Sequence, residues 1–216
     1  MNSPLQYISR PSTLKTNAPL LIMCHGYGSD ENDLFSFASE LPEELFIISL
    51  RAPLKMQPFG NAWYTINFDA DQNKWSDNEQ AIASRKLIAQ FIDEACDSYS
   101  LDKSNVTLLG FSQGTILSYA VALTYPDKVK NIIALSGYVN KDIIPSEFNK
   151  QQLNHLEFYC SHGTQDQVIP VEWARKSPNF LKQLDIKHVY SEYPVGHGVS
   201  PQNFYDFKNW LIQRIK

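Results

Sequence analysis

The chain has 216 residues, 43% of them hydrophobic and 19% charged, with a formal net charge of −4. One domain spanning 1–216 is expected, since domains commonly run to about 100–200 residues, and the composition excludes intrinsic disorder, collagen-like repeats and disulfide-stapled mini-proteins. With 19 Lys and Arg against 23 Asp and Glu, and no basic run to neutralise phosphates, nucleic acid and anionic membrane surfaces are poor partners.

Apolar clusters recur with the spacing of strands that alternate with helices, the pattern of an α/β sheet. Met1 to Thr16 has no apolar run of signal-peptide length, and Leu5 to Ser9 within it reads as an antiparallel edge strand. Leu20–Cys24 is a continuous apolar run, a strand buried on both faces and far too short to span a membrane. Leu45–Leu50 is a second such strand. Ser76-x-x-Glu79 reads as a capping box, followed at helical spacing by Ile88, Phe91, Ile92, Ala95 and Tyr99. Val106–Leu109 is the next buried strand, and a helix is expected directly after Gly110-Phe111-Ser112-Gln113-Gly114. Asn131–Leu135 and Leu156–Cys160 continue the sheet. A helix should start near Pro170, and Lys187–Tyr193 should be the last strand. Ser200 caps a final helix with Pro201 in its first turn and a stripe of Phe204, Phe207, Leu211 and Ile215. Cys24, Cys96 and Cys160 are odd in number and widely spaced, which suits neither a disulfide framework nor a Cys-x-x-Cys metal site. A reducing cytoplasmic setting is the simplest expectation.

The chemistry concentrates after the strands. Gly110-Phe111-Ser112-Gln113-Gly114 follows a buried strand and opens a helix, the context of a nucleophile elbow. A side chain at either glycine would crowd a turn that holds Ser112 strained and exposed at the carboxyl end of the sheet. A plain strand-to-helix turn of small residues is the alternative. A serine hydroxyl needs a base, and among five histidines His197, in Val195-Gly196-His197-Gly198 after the last strand, is the best placed. The base needs a carboxylate to fix its tautomer, and Asp166, in the loop after Leu156–Cys160, completes the order Ser, acid, His. Asp142 is the reserve acid, and His162 is expected to brace the Asp166 loop. The backbone N–H groups of Gln113 and of Tyr27, in His25-Gly26-Tyr27-Gly28, are the expected oxyanion donors. His25 has no second ligand at metal-site spacing, so no metal and no cofactor are expected.

With these residues placed, the chain resembles the phospholipase/carboxylesterase family of small α/β-hydrolases, which includes acyl-protein thioesterases and bacterial carboxylesterases. The matching stretches are His25–Leu34, Arg51-Ala52-Pro53, Trp63-Tyr64, Gly110–Gly114, His162-Gly163 with Asp166, and Gly196-His197. The resemblance implies an α/β-hydrolase fold, with Ser112, Asp166 and His197 as triad and Tyr27 and Gln113 at the oxyanion. Thr115 stands where thioesterase-like members often have another glycine, and Tyr27 where they have leucine, so the chain looks closer to the bacterial esterase branch. Met56, Phe59, Trp63 and Tyr64 are the expected acyl wall, a hairpin packed on the core being the alternative for that stretch. No long insertion suggests a lid. The expected function is a serine carboxylesterase for short- to medium-chain esters, with an acyl thioesterase or lysophospholipase using the same residues as runner-up. A non-catalytic binding module is the reading of another class, and the family resemblance allows a homodimer.

Overall fold

The computed structural model describes residues 3–68 and 74–215. The strands are β1 (Tyr7–Arg10), β2 (Leu20–Cys24), β3 (Phe46–Leu50), β4 (Leu54–Lys55), β5 (Asn61–Ala62), β6 (Ile66–Phe68), β7 (Lys74–Ser76), β8 (Val106–Phe111), β9 (Asn131–Leu135), β10 (Glu157–Gly163) and β11 (Lys187–Tyr193). The helices are α1 (Asn32–Phe35), α2 (Asn78–Tyr99), α3 (Gln113–Thr124), α4 (Lys150–Leu153), α5 (Val171–Ala174), α6 (Lys176–Gln183) and α7 (Pro201–Ile212).

Seven strands form one sheet in the order β1-β3-β2-β8-β9-β10-β11. All neighbours pair in parallel except β1, which runs antiparallel to β3. The expected edge strand therefore exists, but it starts at Tyr7 rather than Leu5. Its partner β3 ends at Leu50, opposite Tyr7, so the ladder begins there, and the Arg10 guanidinium anchors the far end by donating to the carbonyls of Ala38, Leu41, Pro42 and Leu45. β8 and β10 run past their expected ends, to Phe111 and Gly163, because one neighbour of each keeps pairing, β9 opposite Phe111 and β11 opposite His162 and Gly163.

Alternation along β2 sorts the core into two layers. Leu20, Ile22 and Cys24 pack with Ile88, Phe91 and Ile92 of α2 and with the all-round buried α3. Leu21 and Met23 pack on the opposite face with Leu34 of α1 and Phe204, Phe207 and Leu211 of α7. Helices thus cover both faces of a mainly parallel sheet.

Two helix starts differ from expectation. The cap of α2 is Asp77, whose side chain accepts from the Gln80 N–H, while Ser76 ends β7. Pro170 caps only the short α5, and a second short helix, α6, follows it. Pro178 accounts for the break, since it lacks the N–H that would bond back to Ala174. Ser200 caps α7 as the sequence suggests, accepting from the Asn203 N–H. Outside the main sheet β4 pairs with β5, and β6 with β7, as two small antiparallel ribbons. Among the described residues no helix is long and apolar enough to cross a membrane.

Candidate active site

Ser112 sits between β8 and α3 with φ 55° and ψ −116°, a conformation that costs a non-glycine residue on the order of 1–3 kcal/mol. Its surroundings enforce it. A Cβ on Gly114 would lie 1.9 Å from the Cys24 carbonyl oxygen, and one on Gly110 would lie 2.5 Å from that of Gly114. Backbone therefore packs directly on backbone beneath the serine. The Ser112 N–H donates to the Leu135 carbonyl at 2.9 Å, and the Thr115 hydroxyl donates to the same oxygen at 2.6 Å. Thr115 is buried under the elbow, so its departure from the family pattern concerns support of the turn and does not shape the cavity wall.

The loops after β10 and β11 are drawn together in the same way. Backbone N–H groups of Thr164 and Gln165 donate to the carbonyls of Tyr193 and Val195, and a Cβ on Gly163 would lie 2.3 Å from the Gly196 oxygen. This contact sets Asp166 beside His197. The His197 Nδ1 is 2.7 Å from Asp166 Oδ2, and its Nε2 is 2.9 Å from Ser112 Oγ. Asp166 Oδ1 accepts from the backbone N–H groups of Val168 and Ile169. Burial alone would raise the pKa of this carboxyl, but the hydrogen bonds from His197, Ile169 and Val168 outweigh it and hold it below the ordinary value. His162, fully buried, donates from Nε2 to the Ile169 carbonyl at 2.8 Å and lies 3.3 Å from Asp166 Oδ2, so it braces this loop. Asp142, the reserve acid, makes no hydrogen bond to His197 among the described residues and lies in the 3-10 turn Lys141–Ile143.

Tyr27 and Gln113 both line the cavity that contains Ser112 and His197. Among the described residues neither of their backbone N–H groups donates to a protein acceptor, and that of Gln113 is at the positive end of the 12-residue α3. His25, just before Tyr27, spends both ring nitrogens on backbone. Nδ1 donates to the Gly26 carbonyl at 2.7 Å and Nε2 accepts from the Ala52 N–H at 3.0 Å. Burial lowers its pKa and keeps it neutral, which suits a tie between the β2 and β3 loops.

The cavity beside Ser112 holds about 390 Å3 and is walled mainly by carbon, including Tyr64, Ile66, Ile116, Val168 and Ile169. Of the four expected wall residues only Tyr64 faces it. Trp63 lies behind, fully buried, with its indole N–H donated to the His25 carbonyl. Phe59 is at the tip of the β4–β5 ribbon and 77% exposed, and Met56 lies at the base of the same tip, its N–H bonded to the Gly60 carbonyl. The misplacement has a simple origin, since a short ribbon with a tight end turns alternate residues away from the serine.

Three side chains that motif reasoning passed over hold the wall. Gln113 accepts from the Trp63 N–H and donates to the Tyr64 carbonyl, both at 2.8 Å. Ser84 donates to the Trp63 carbonyl at 2.5 Å, and Gln80 accepts from the Thr65 N–H and hydroxyl, each at 2.8 Å. The signal was faint but present, for these are polar residues within otherwise buried helix faces.

Residues 8–215 match the phospholipase/carboxylesterase family. An acyl-protein thioesterase 1 from Yarrowia lipolytica is 31% identical over 159 residues, which cover 72% of this chain and 69% of the relative. The acyl-protein thioesterase 1 of Emericella nidulans is 28% identical over 227 residues, covering 94% and 92%. A Bacillus cereus carboxylesterase shares the fold with a TM-score of 0.82 at 18% identity, over 99% of this chain and 96% of that one. The sequence match spans the main sheet and all the loops that converge on Ser112, and the chain belongs to the phospholipase/carboxylesterase family.

Proposed function

We propose that this hydrolase is a serine carboxylesterase acting on short- to medium-chain carboxylic esters, with Ser112 as nucleophile, His197 as base and Asp166 as orienting acid. The observation that carries the reading is the unbroken hydrogen-bonded line from Asp166 Oδ2 through both His197 nitrogens to Ser112 Oγ. His197 Nε2 takes the hydroxyl proton as Ser112 Oγ attacks the ester carbonyl, and the N–H groups of Tyr27 and Gln113 receive the oxyanion. The proton passes to the departing alcohol, and water activated by His197 then frees the acid. Asp166 stays ionised throughout because its hydrogen bonds favour the charged form. The small apolar cavity suits the acyl group.

A second reading is an acyl thioesterase or lysophospholipase with the same three residues. It is favoured by the names of the sequence relatives, acyl-protein thioesterases, which weigh as much as the structural likeness to a carboxylesterase. The small-molecule substrate is the shared element, and a reducing cytoplasmic setting fits three buried, unpaired cysteines.

Hydrolysis of p-nitrophenyl esters from acetate to palmitate, beside acyl thioesters of matched length, tests both readings on wild type and Ser112→Ala. Turnover of esters with a maximum at short or medium length, lost in the variant, is expected. Preference for long thioesters would transfer the assignment to the thioesterase reading, and full activity of the variant would remove Ser112 from the mechanism.

A further inference from the structure

A second cavity, of about 720 Å3, adjoins the one that holds Ser112, and the two share Ser76, Tyr138 and Trp173 as walls. The rings of Tyr138 and Trp173 meet edge to face with centroids 5.3 Å apart, so this aromatic pair forms the partition between them. Chemistry changes across it. The Ser112 side is walled mainly by carbon, whereas the far side carries Lys141, Lys176, Asn140 and Asn179, with Asp142 as its single carboxylate among the described residues. In a chain of net charge −4, two lysines against one acid among the described residues give this basin a local excess of positive charge.

The basin is also structured. The Val139 N–H donates to Ser177 Oγ at 3.0 Å and ties its two banks together. Lys141 Nζ stands 5.0 Å from the centroid of the Phe180 ring, an arrangement that favours the cation at this position. Among the described residues neither lysine pairs with a carboxylate, although Lys103, Lys128, Lys150 and Lys187 all do.

We propose that this second cavity binds a carboxylate that the substrate carries away from its scissile carbonyl, with Lys141 and Lys176 as the pairing groups. The proposal rests on the reading of Ser112 as nucleophile, since it is that cavity the basin adjoins. A purely apolar chain pushed past the partition would set carbon among ammonium and amide groups and displace their water without return. A chain that ends in a carboxylate exchanges that water for charge-assisted hydrogen bonds. The favoured class is therefore an ester bearing a remote carboxylate, on its acyl or its alcohol part.

Two matched pairs distinguish these sources. The acyl arm compares the mono-p-nitrophenyl ester of suberic acid with p-nitrophenyl octanoate, and the alcohol arm compares 4-carboxyphenyl butyrate with phenyl butyrate. Each is measured on wild type and on the Lys141→Ala/Lys176→Ala double variant. In one arm the charged-to-neutral ratio of kcat/KM should fall by about fivefold in the variant, through KM, the size suited to two partly exposed ion pairs. High salt should lower the same ratio in wild type. A ratio unchanged in both arms overturns the proposal, while hydrolysis of the neutral esters keeps the Ser112 reading intact. Calorimetry of monomethyl suberate on Ser112→Ala, with and without the lysine substitutions, reads the basin without turnover. Weaker binding without the lysines is expected where the acyl arm is the one that responds, and equal affinity in that case would likewise overturn the proposal.

Discussion

At the elbow, backbone rests on backbone, while at the wall that faces it, backbone hangs from side chains. Gly114 lies so close to Cys24 that a methyl group would overlap the carbonyl oxygen at 1.9 Å, and nothing adjustable intervenes. Trp63, Tyr64 and Thr65 belong to no strand and are held by Gln113, Gln80 and Ser84, which come from two different helices. The first arrangement tolerates no change and fixes the position of Ser112. The second can be retuned one side chain at a time, which suits the part of a site that selects its acyl group.

The contrast can be broken first at the chemistry. Asp166→Asn should leave the fold in place and lower kcat by about 10^4-fold, because the wrong imidazole tautomer is then favoured. The same variant reports on pH. The folded carboxyl titrates below its ordinary value, so its contribution to stability is complete above the ordinary carboxylate range of about pH 4. That contribution fades as pH falls through the lowered value. Melting temperatures followed down to acid pH should fall less steeply in Asp166→Asn than in wild type.

Gly114→Ala probes the rigid side of the comparison. Its Cβ can be accommodated only by moving β2 away from α3, and a loss of about 3 kcal/mol or more in urea unfolding is expected. On the adjustable side, Gln113→Met keeps the side chain's length but leaves the Trp63 N–H and the Tyr64 carbonyl without partners, at about 1–3 kcal/mol for each buried group. Its distinctive readout is the acyl-length profile, which should broaden as Tyr64 loses its anchor, with KM moving more than kcat. A stability loss with an unchanged profile would make the Gln113 side chain structural only. The smallest effect is expected at the ribbon tip, where Phe59→Ala should alter stability by less than about 0.5 kcal/mol and leave kcat/KM for every ester unchanged.

What could be read in the sequence divides along the same line. The five inner strands were legible as continuous apolar runs because both of their faces are covered. The elbow was legible because close approach of backbones leaves glycine as its mark at positions 110 and 114. His197 and Asp166 followed from their places after successive strands, and the structure sets their side chains within hydrogen-bonding distance. The wall was legible only at Tyr64. Met56, Phe59 and Trp63 are apolar and close to Tyr64 in sequence, yet the direction each takes depends on a two-residue ribbon, β5, and on ties from residues up to 50 positions away. The shift of the helix cap from Ser76 to Asp77 has a similar cause, since β7 extends through Ser76 and leaves Asp77 as the first residue free to cap. The polar basin beyond Tyr138 and Trp173 was hidden as well, because its lysines come from the turn after β9 and from α6, 35 residues apart by number (176 − 141).

The central claim is that Ser112 forms the acyl-enzyme, and the most direct test is covalent labelling with a fluorophosphonate followed by peptide mass spectrometry. One adduct on Ser112 is predicted in wild type, with labelling slowed strongly in His197→Ala and absent in Ser112→Ala. An unlabelled wild-type protein, or an adduct on another residue that persists in Ser112→Ala, would contradict the account.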